Sequence, residues 1–116
     1  MQTLRLPLRG DLWWVDFGTP VGHEQGFRRP ALVVSIDRFN RSFYSLHIVL
    51  PLTKRQRQMP THVTVDPPEA GLTVRSFIKC EDVRSASLNR FGRYIGQVAP
   101  DTLERAEDRL RLLLGL

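Results

Sequence analysis

From Tyr44 to Leu52 the chain reads YSLHIVLPL, and this stretch limits the fold more than any other. Leu46, Ile48, Leu50 and Leu52 alternate with Ser45, His47 and Val49. A period of two is the mark of a half-buried β-strand, with one face on a core and the other towards solvent. A strand of this kind needs partners, because a lone strand or hairpin is barely stable in water. The sequence offers several short ones. DLWWVD, Asp11 to Asp16, is opened by Gly10. Ala31 to Ser35 is an apolar run, and THVTVD alternates before PPEAG breaks it. Further runs lie at about Ser76 to Val83 and at RYIGQV.

The end of the chain changes period. In APDTLERAEDRLRLLLGL, Leu103, Ala106, Leu110 and Leu113 recur at threes and fours, as on one face of a helix. Asp101 suits the N-cap with Glu104 as its capping-box partner, and Gly115 suits a left-handed stop. The leucines are expected to pack on the sheet. Several short strands and one terminal helix predict a mainly β fold with a C-terminal helix, a small curled sheet or barrel of the SH3-like kind. No repeat, low-complexity tract or linker divides the 116 residues, so a single domain over residues 1–116 is expected. Such folds host many functions, so function must be argued from the site.

Lys plus Arg is 17 and Asp plus Glu is 12, a formal charge of +5. That balance favours an anionic partner such as nucleic acid. Arginine supplies nearly all of it, since Lys occurs only at Lys54 and Lys79. Guanidinium forks suit phosphate oxygens and stacking on bases. The one cysteine, Cys80, forms no internal disulfide and no cysteine-rich zinc site; in an apolar strand it reads as a buried filler. No apolar stretch approaches the ~20 residues of a membrane span, and MQTLRLPLRG lacks a signal peptide's apolar region. A cytoplasmic protein with no membrane partner is expected.

Chemistry concentrates in three segments. GHEQGFRRP, residues 22 to 30, places Glu24, Gln25, Phe27, Arg28 and Arg29 between glycines and the mouth of an apolar strand. Glu24 can accept from base amino groups or take up a proton, Gln25 can both donate and accept, and Phe27 can stack on a base. TKRQRQMP sets Lys54, Arg55 and Arg57 after Thr53, where they can hold a phosphate backbone or simply be solvated. CEDVRS offers Glu81, Asp82 and Arg84. Of the histidines, His62 opens the fourth strand near the same rim, and His23 and His47 complete the candidates for a two-imidazole mechanism. No short metal-ligand spacing occurs, so no metal or other cofactor is expected. Trp13 and Trp14 are adjacent on a strand and must face opposite ways; one fills the core, and the other is left for a dimer surface or a base.

GDLWWVDF, GHEQGFRRPALVVS, IVLPLT, EDVRS and GQV, in this order ahead of a leucine-rich helix, resemble the MazF/PemK toxins of type II toxin–antitoxin systems from about Gly10 to Leu116. The resemblance implies a compact SH3-like barrel, a homodimer and a metal-independent endoribonuclease that cuts single-stranded RNA at short sequences. It implies a cognate antitoxin with an acidic, partly disordered C-terminal segment laid across the RNA surface. The family's cleavage positions fall on Arg29, before the Pro of the RP step, and on Thr53, at the end of PLT. Family members commonly carry Gln where Asp82 stands here, and ionised Asp can only accept. If strands two and three pair antiparallel, Arg29 and Thr53 lie within a few ångströms at one rim. A non-catalytic SH3-like module that binds RNA or a peptide is the alternative, but it needs neither residue in that pairing.

Overall fold

The computed structural model describes residues 5–24 and 26–116. Seven strands are seen among them: β1 (Asp11–Asp16), β2 (Arg28–Val33), β3 (Leu46–Thr53), β4 (His62–Val65), β5 (Ser76–Lys79), β6 (Arg84–Ser87) and β7 (Phe91–Gln97). A one-turn helix α1 (Asp37–Asn40) joins β2 to β3, and α2 (Pro100–Leu114) ends the fold. The sheet runs β4-β5-β3-β2-β1-β7, with β6 also on β3, and every pairing is antiparallel. The expected mainly β architecture with a C-terminal helix is present. The curl stops short of closure, because the outer strands β4 and β7 do not pair.

The central strand departs from the half-buried reading. Leu50 and Leu52 enter one core with Leu12, Leu32, Ile78 and Ala106 of α2. Val49 enters a second core with Trp13, Val15, Ala31, Val33 and Ala86. Both faces of β3 are therefore covered. The β7 ladder makes this possible: Phe91 and Tyr94 curl over the second face, and Tyr94 meets Trp13 edge-on at 5.5 Å. His47 lies fully buried there, bonded through Nε2 to the Pro7 carbonyl at 2.9 Å and resting on Phe91. The run Ser76–Val83 is not one strand either. A 3₁₀ turn at Cys80–Asp82 divides β5 from β6, so that the two pair with successive parts of β3.

Helix α2 starts two residues earlier than the Asp101 cap requires. Ala99 is the N-cap and Pro100, whose φ is already helical, takes the first position. The Glu69 carboxylate, from a turn between β4 and β5, accepts from Ala99 N–H at 3.0 Å and from the Thr102 hydroxyl at 2.6 Å. Gly115 ends the helix in the left-handed region as expected. Ala106 is buried and Leu103 and Leu110 pack against the first core, whereas Leu113 lies beyond it and is exposed with Leu112, Leu114 and Leu116.

Candidate active site

The site is built where β2 begins and β3 ends. Ala31 pairs with Pro51, and Leu32 with Leu50. The paired ladder ends there; its register, continued by two residues, would set Arg29 across from Thr53, and both line one cleft. Directly opposed residues project to one face, with Cα atoms ~4.5–5.5 Å apart. Thr53 in turn pairs with Phe77 of β5, and Lys79 shares that face by parity. The face that carries Ala31 and Val49 in the second core thus runs out into Arg29, Thr53 and Lys79 at its open end.

The β1–β2 loop forms the opposite wall. Its neck is tied by Phe17 N–H to the Phe27 carbonyl at 2.8 Å and by Phe27 N–H to the Gly18 carbonyl at 2.6 Å. Gly26 lies so close to Pro20 that a Cβ would fall 2.4 Å from its ring, so the loop folds tightly on itself. Phe27 takes φ 61°, a conformation rarely used by bulky residues, with its ring 61 % exposed. Local strain of this sort is found at ligand-contacting loops.

Loop and sheet together enclose an open cleft of about 910 Å³. Of the residues singled out in the sequence, it is lined by Glu24, Phe27, Arg29, Thr53, Lys54, Arg55, Arg57 and Glu81, with His23 beside them. Gln25 lies outside the described residues. Lys79 and Met59 also line it, and sequence reading passed over both. Lys79 was recoverable from its strand parity with Phe77, whereas Met59 comes from an irregular loop and gave no signal.

Five cations (Arg29, Lys54, Arg55, Arg57 and Lys79) face two carboxylates. The Arg29 Nε is buried and meets no acceptor among the described residues. A buried charged donor left unpaired is costly, so this one is poised for an anion. The Thr53 hydroxyl accepts from the Arg55 N–H at 3.2 Å, which leaves its own proton for another acceptor.

Glu81 is held from behind. The Thr61 hydroxyl donates to it at 2.7 Å and His62 Nε2 at 3.0 Å. Burial alone would raise its pKa, but these two bonds, together with a backbone hydrogen bond and the charge of His62, outweigh it and hold the carboxyl below its ordinary value. His62 therefore supports Glu81 and does not line the cleft, and His47 is buried elsewhere. Asp82 also lies off the cleft wall, 3.7 Å from the Lys79 ammonium. Arg84 stacks on Phe17, donates to the Phe17 carbonyl and stands 4.0 Å from Glu24, bracing the loop from outside. Arg28 projects to the opposite face from Arg29. Burial, with help from Glu81, pushes the Cys80 thiol up to about 12, which suits a core filler. Among the described residues no group of three or more His, Cys, Asp or Glu is placed to hold a metal.

Comparison with known proteins identifies the family. Residues 8–114 match the model of the PemK-like, MazF-like toxins of type II toxin–antitoxin systems. The chain is 32 % identical over 110 residues to endoribonuclease EndoA of Bacillus subtilis, covering 93 % of this chain and 94 % of that protein. It is 34 % identical to endoribonuclease MazF9 of Mycobacterium tuberculosis, covering 93 % and 96 %. The crystal structure of MazF from Deinococcus radiodurans superposes with a TM-score of 0.85 at 33 % identity, over 97 % of this chain and 99 % of that one. A mycobacterial endoribonuclease solved with its cognate antitoxin superposes at 0.78 with 28 % identity, over 95 % and 96 %. With its fold, its Arg29–Thr53 rim and these relatives, the chain belongs to the PemK/MazF family of type II toxins.

Proposed function

We propose that this chain is an endoribonuclease toxin that cuts single-stranded RNA at a short sequence without a metal ion. The RNA's own 2′-OH attacks the adjacent phosphorus. The 2′-O–P bond forms, the P–O5′ bond breaks, and the products carry a 2′,3′-cyclic phosphate and a 5′-OH. Arg29 is the electrostatic catalyst: its fixed donors and permanent charge stabilise the phosphoryl oxygens as negative charge builds on them. Thr53 donates its hydroxyl proton to a non-bridging oxygen and fixes the phosphate. Guanidinium hardly deprotonates, so Arg29 works as an oxyanion partner and not as the base. Glu24, Phe27 and Glu81 line the path of the bases, with Gln25 on the same loop. Lys54, Arg55 and Arg57 hold the backbone. His62, Asp82 and Arg84 act through Glu81, Lys79 and the loop.

The observation that carries this reading is the buried, unpaired Arg29 Nε in a cleft that Thr53 also lines and that has three more cations than carboxylates. The same surplus of positive charge suits an antitoxin whose acidic, partly disordered C-terminal segment lies along the cleft. A mycobacterial relative has been solved with its cognate antitoxin, and a Deinococcus radiodurans one as MazE-MazF. The protein acts in the cytoplasm, as a homodimer.

The test is to incubate the protein and its Arg29→Ala variant with long single-stranded RNA in EDTA and to map the new 5′ ends. Discrete cuts at a recurring word, bearing 5′-OH and lost in the variant, are expected. Activity abolished by EDTA and restored by a divalent ion would refute the metal-free chemistry. Intact RNA with a folded wild-type protein would favour a non-catalytic binding module.

A further inference from the structure

A second cavity, of about 400 Å³, opens on the other face of the same strands. It meets the cleft at Arg29, Thr53 and Lys54, which border both. Trp14 pairs with Pro30 in the β1–β2 ladder and forms one wall. Arg28 and Arg93 stand at its sides, and Leu72, Val74 and Ile95 give it an apolar lining. Among the described residues no carboxylate pairs with Arg28 or Arg93, whereas Arg9, Arg75, Arg84, Arg105 and Arg111 each have one.

We propose that this cavity is a stacking pocket for one nucleobase next to the cleaved phosphate, with Arg28 and Arg93 on the flanking phosphates. Three features point to it. An indole above an apolar lining offers a flat surface that stacks on any base. Two unpaired guanidinium groups at the sides suit the phosphates that accompany a base. The shared border at Arg29 and Thr53 sets the pocket beside the reaction. An RNA strand that holds its scissile phosphate there can lay bases in the cleft on one face and a neighbouring base against Trp14 on the other. The size is at the small end of ligand cavities, which suits one base and not a helix or a folded domain. This inference rests on the ribonuclease reading above.

The experiment uses an RNA oligonucleotide carrying the word mapped with the wild-type protein, with one abasic replacement at each position in turn. Loss of an aromatic–base stack costs about fivefold or more. Wild type should lose at least about fivefold in kcat/KM at a single abasic position beside the cut. Trp14→Ala should start that much slower on intact RNA and be indifferent to the abasic replacement, because the two changes remove one interaction. Trp14→Phe, which keeps a ring, should recover most of the rate and the abasic sensitivity. Wild type indifferent to abasic sites beside the cut would overturn the proposal, as would Trp14→Ala losing as much as wild type. So would Trp14→Ala cleaving normally while escaping inhibition by an acidic antitoxin peptide, which would give the pocket to a peptide. A wild-type protein that cuts no RNA at all would instead sink the ribonuclease reading.

Discussion

Replacing Gly96 with alanine should unsettle the helix through a turn that is remote in sequence. Gly96 lies on β7 opposite Leu12. A Cβ on it would fall 2.2 Å from the Ala70 carbonyl oxygen and 2.5 Å from its carbon, and both are backbone atoms. To open 2.2 Å to the 3.0 Å minimum, the turn at Glu69–Gly71 must retreat by at least 0.8 Å. Glu69 moves with it. Its bonds to Ala99 N–H, at 3.0 Å, and to the Thr102 hydroxyl, at 2.6 Å, then stretch towards or past the hydrogen-bonding limit. Overpacking of this kind costs about 1–3 kcal/mol, and losing the tie at the helix start costs about 1 kcal/mol more. A total of roughly 2–4 kcal/mol is expected. Urea unfolding of wild type, Gly96→Ala, Glu69→Ala and the double variant tests it, all at one protein concentration so that any subunit association contributes equally. The double variant should be less destabilised than the sum by about 1 kcal/mol, since both changes loosen one tie. A Gly96→Ala protein within about 0.5 kcal/mol of wild type would refute the close-approach argument. Full additivity would refute the route through Glu69.

Thr53→Val keeps the shape and removes the donor; single-turnover cleavage should slow by about a hundredfold or more, while Thr53→Ser keeps most of the rate. Arg57→Gln should lower the salt dependence of binding to an uncleavable 2′-deoxy strand by about 0.7 in log–log slope, measured by anisotropy across a salt titration, without changing the word that is cut. His47 should make the fold sensitive to mild acid. Burial holds its pKa below 6.5, partly opposed by the bond to the Pro7 carbonyl. The unfolded chain therefore takes up a proton near 6.5 while the folded one resists, so stability is full above that pH and falls below it. His47→Gln should flatten the unfolding free energy just below pH 6.5. The fall below about pH 4.5, as the depressed Asp37 and Glu81 carboxyls are protonated, should remain.

What was legible in the sequence is local. The strand character of β3 and the spacing of Leu103, Ala106 and Leu110 reflect chain geometry and hold in the structure, although β3 is buried on both faces and not on one. What was not legible depends on residues far apart. Nothing near His47 says that β7 will curl over it, because the covering rings, Phe91 and Tyr94, lie more than forty residues on. Asp101 carries a good capping signal, yet Pro100 and the distant Glu69 take over the helix start. The break at Cys80–Asp82 is hidden because the run keeps its apolar character while it changes place along β3.

The site divides in the same way. Arg29 and Thr53 were placed by pairing logic, since the start of one antiparallel strand must meet the end of its neighbour. Residues that act through others could not be sorted from those that line the cleft. Asp82 is the sharpest case. Read as a base contact, its difference from Gln implies a changed recognition word. In the structure it lies beside Lys79, 13 % exposed, and it is Lys79 that borders the cleft. A carboxylate there holds the ammonium by charge, which a neutral amide does only weakly. The difference at residue 82 then bears on how firmly one of five cations is held and how much of its charge reaches the RNA backbone. The expected effect of Asp82→Gln is therefore on affinity and its salt dependence, and a changed recognition word in that variant would refute this placement.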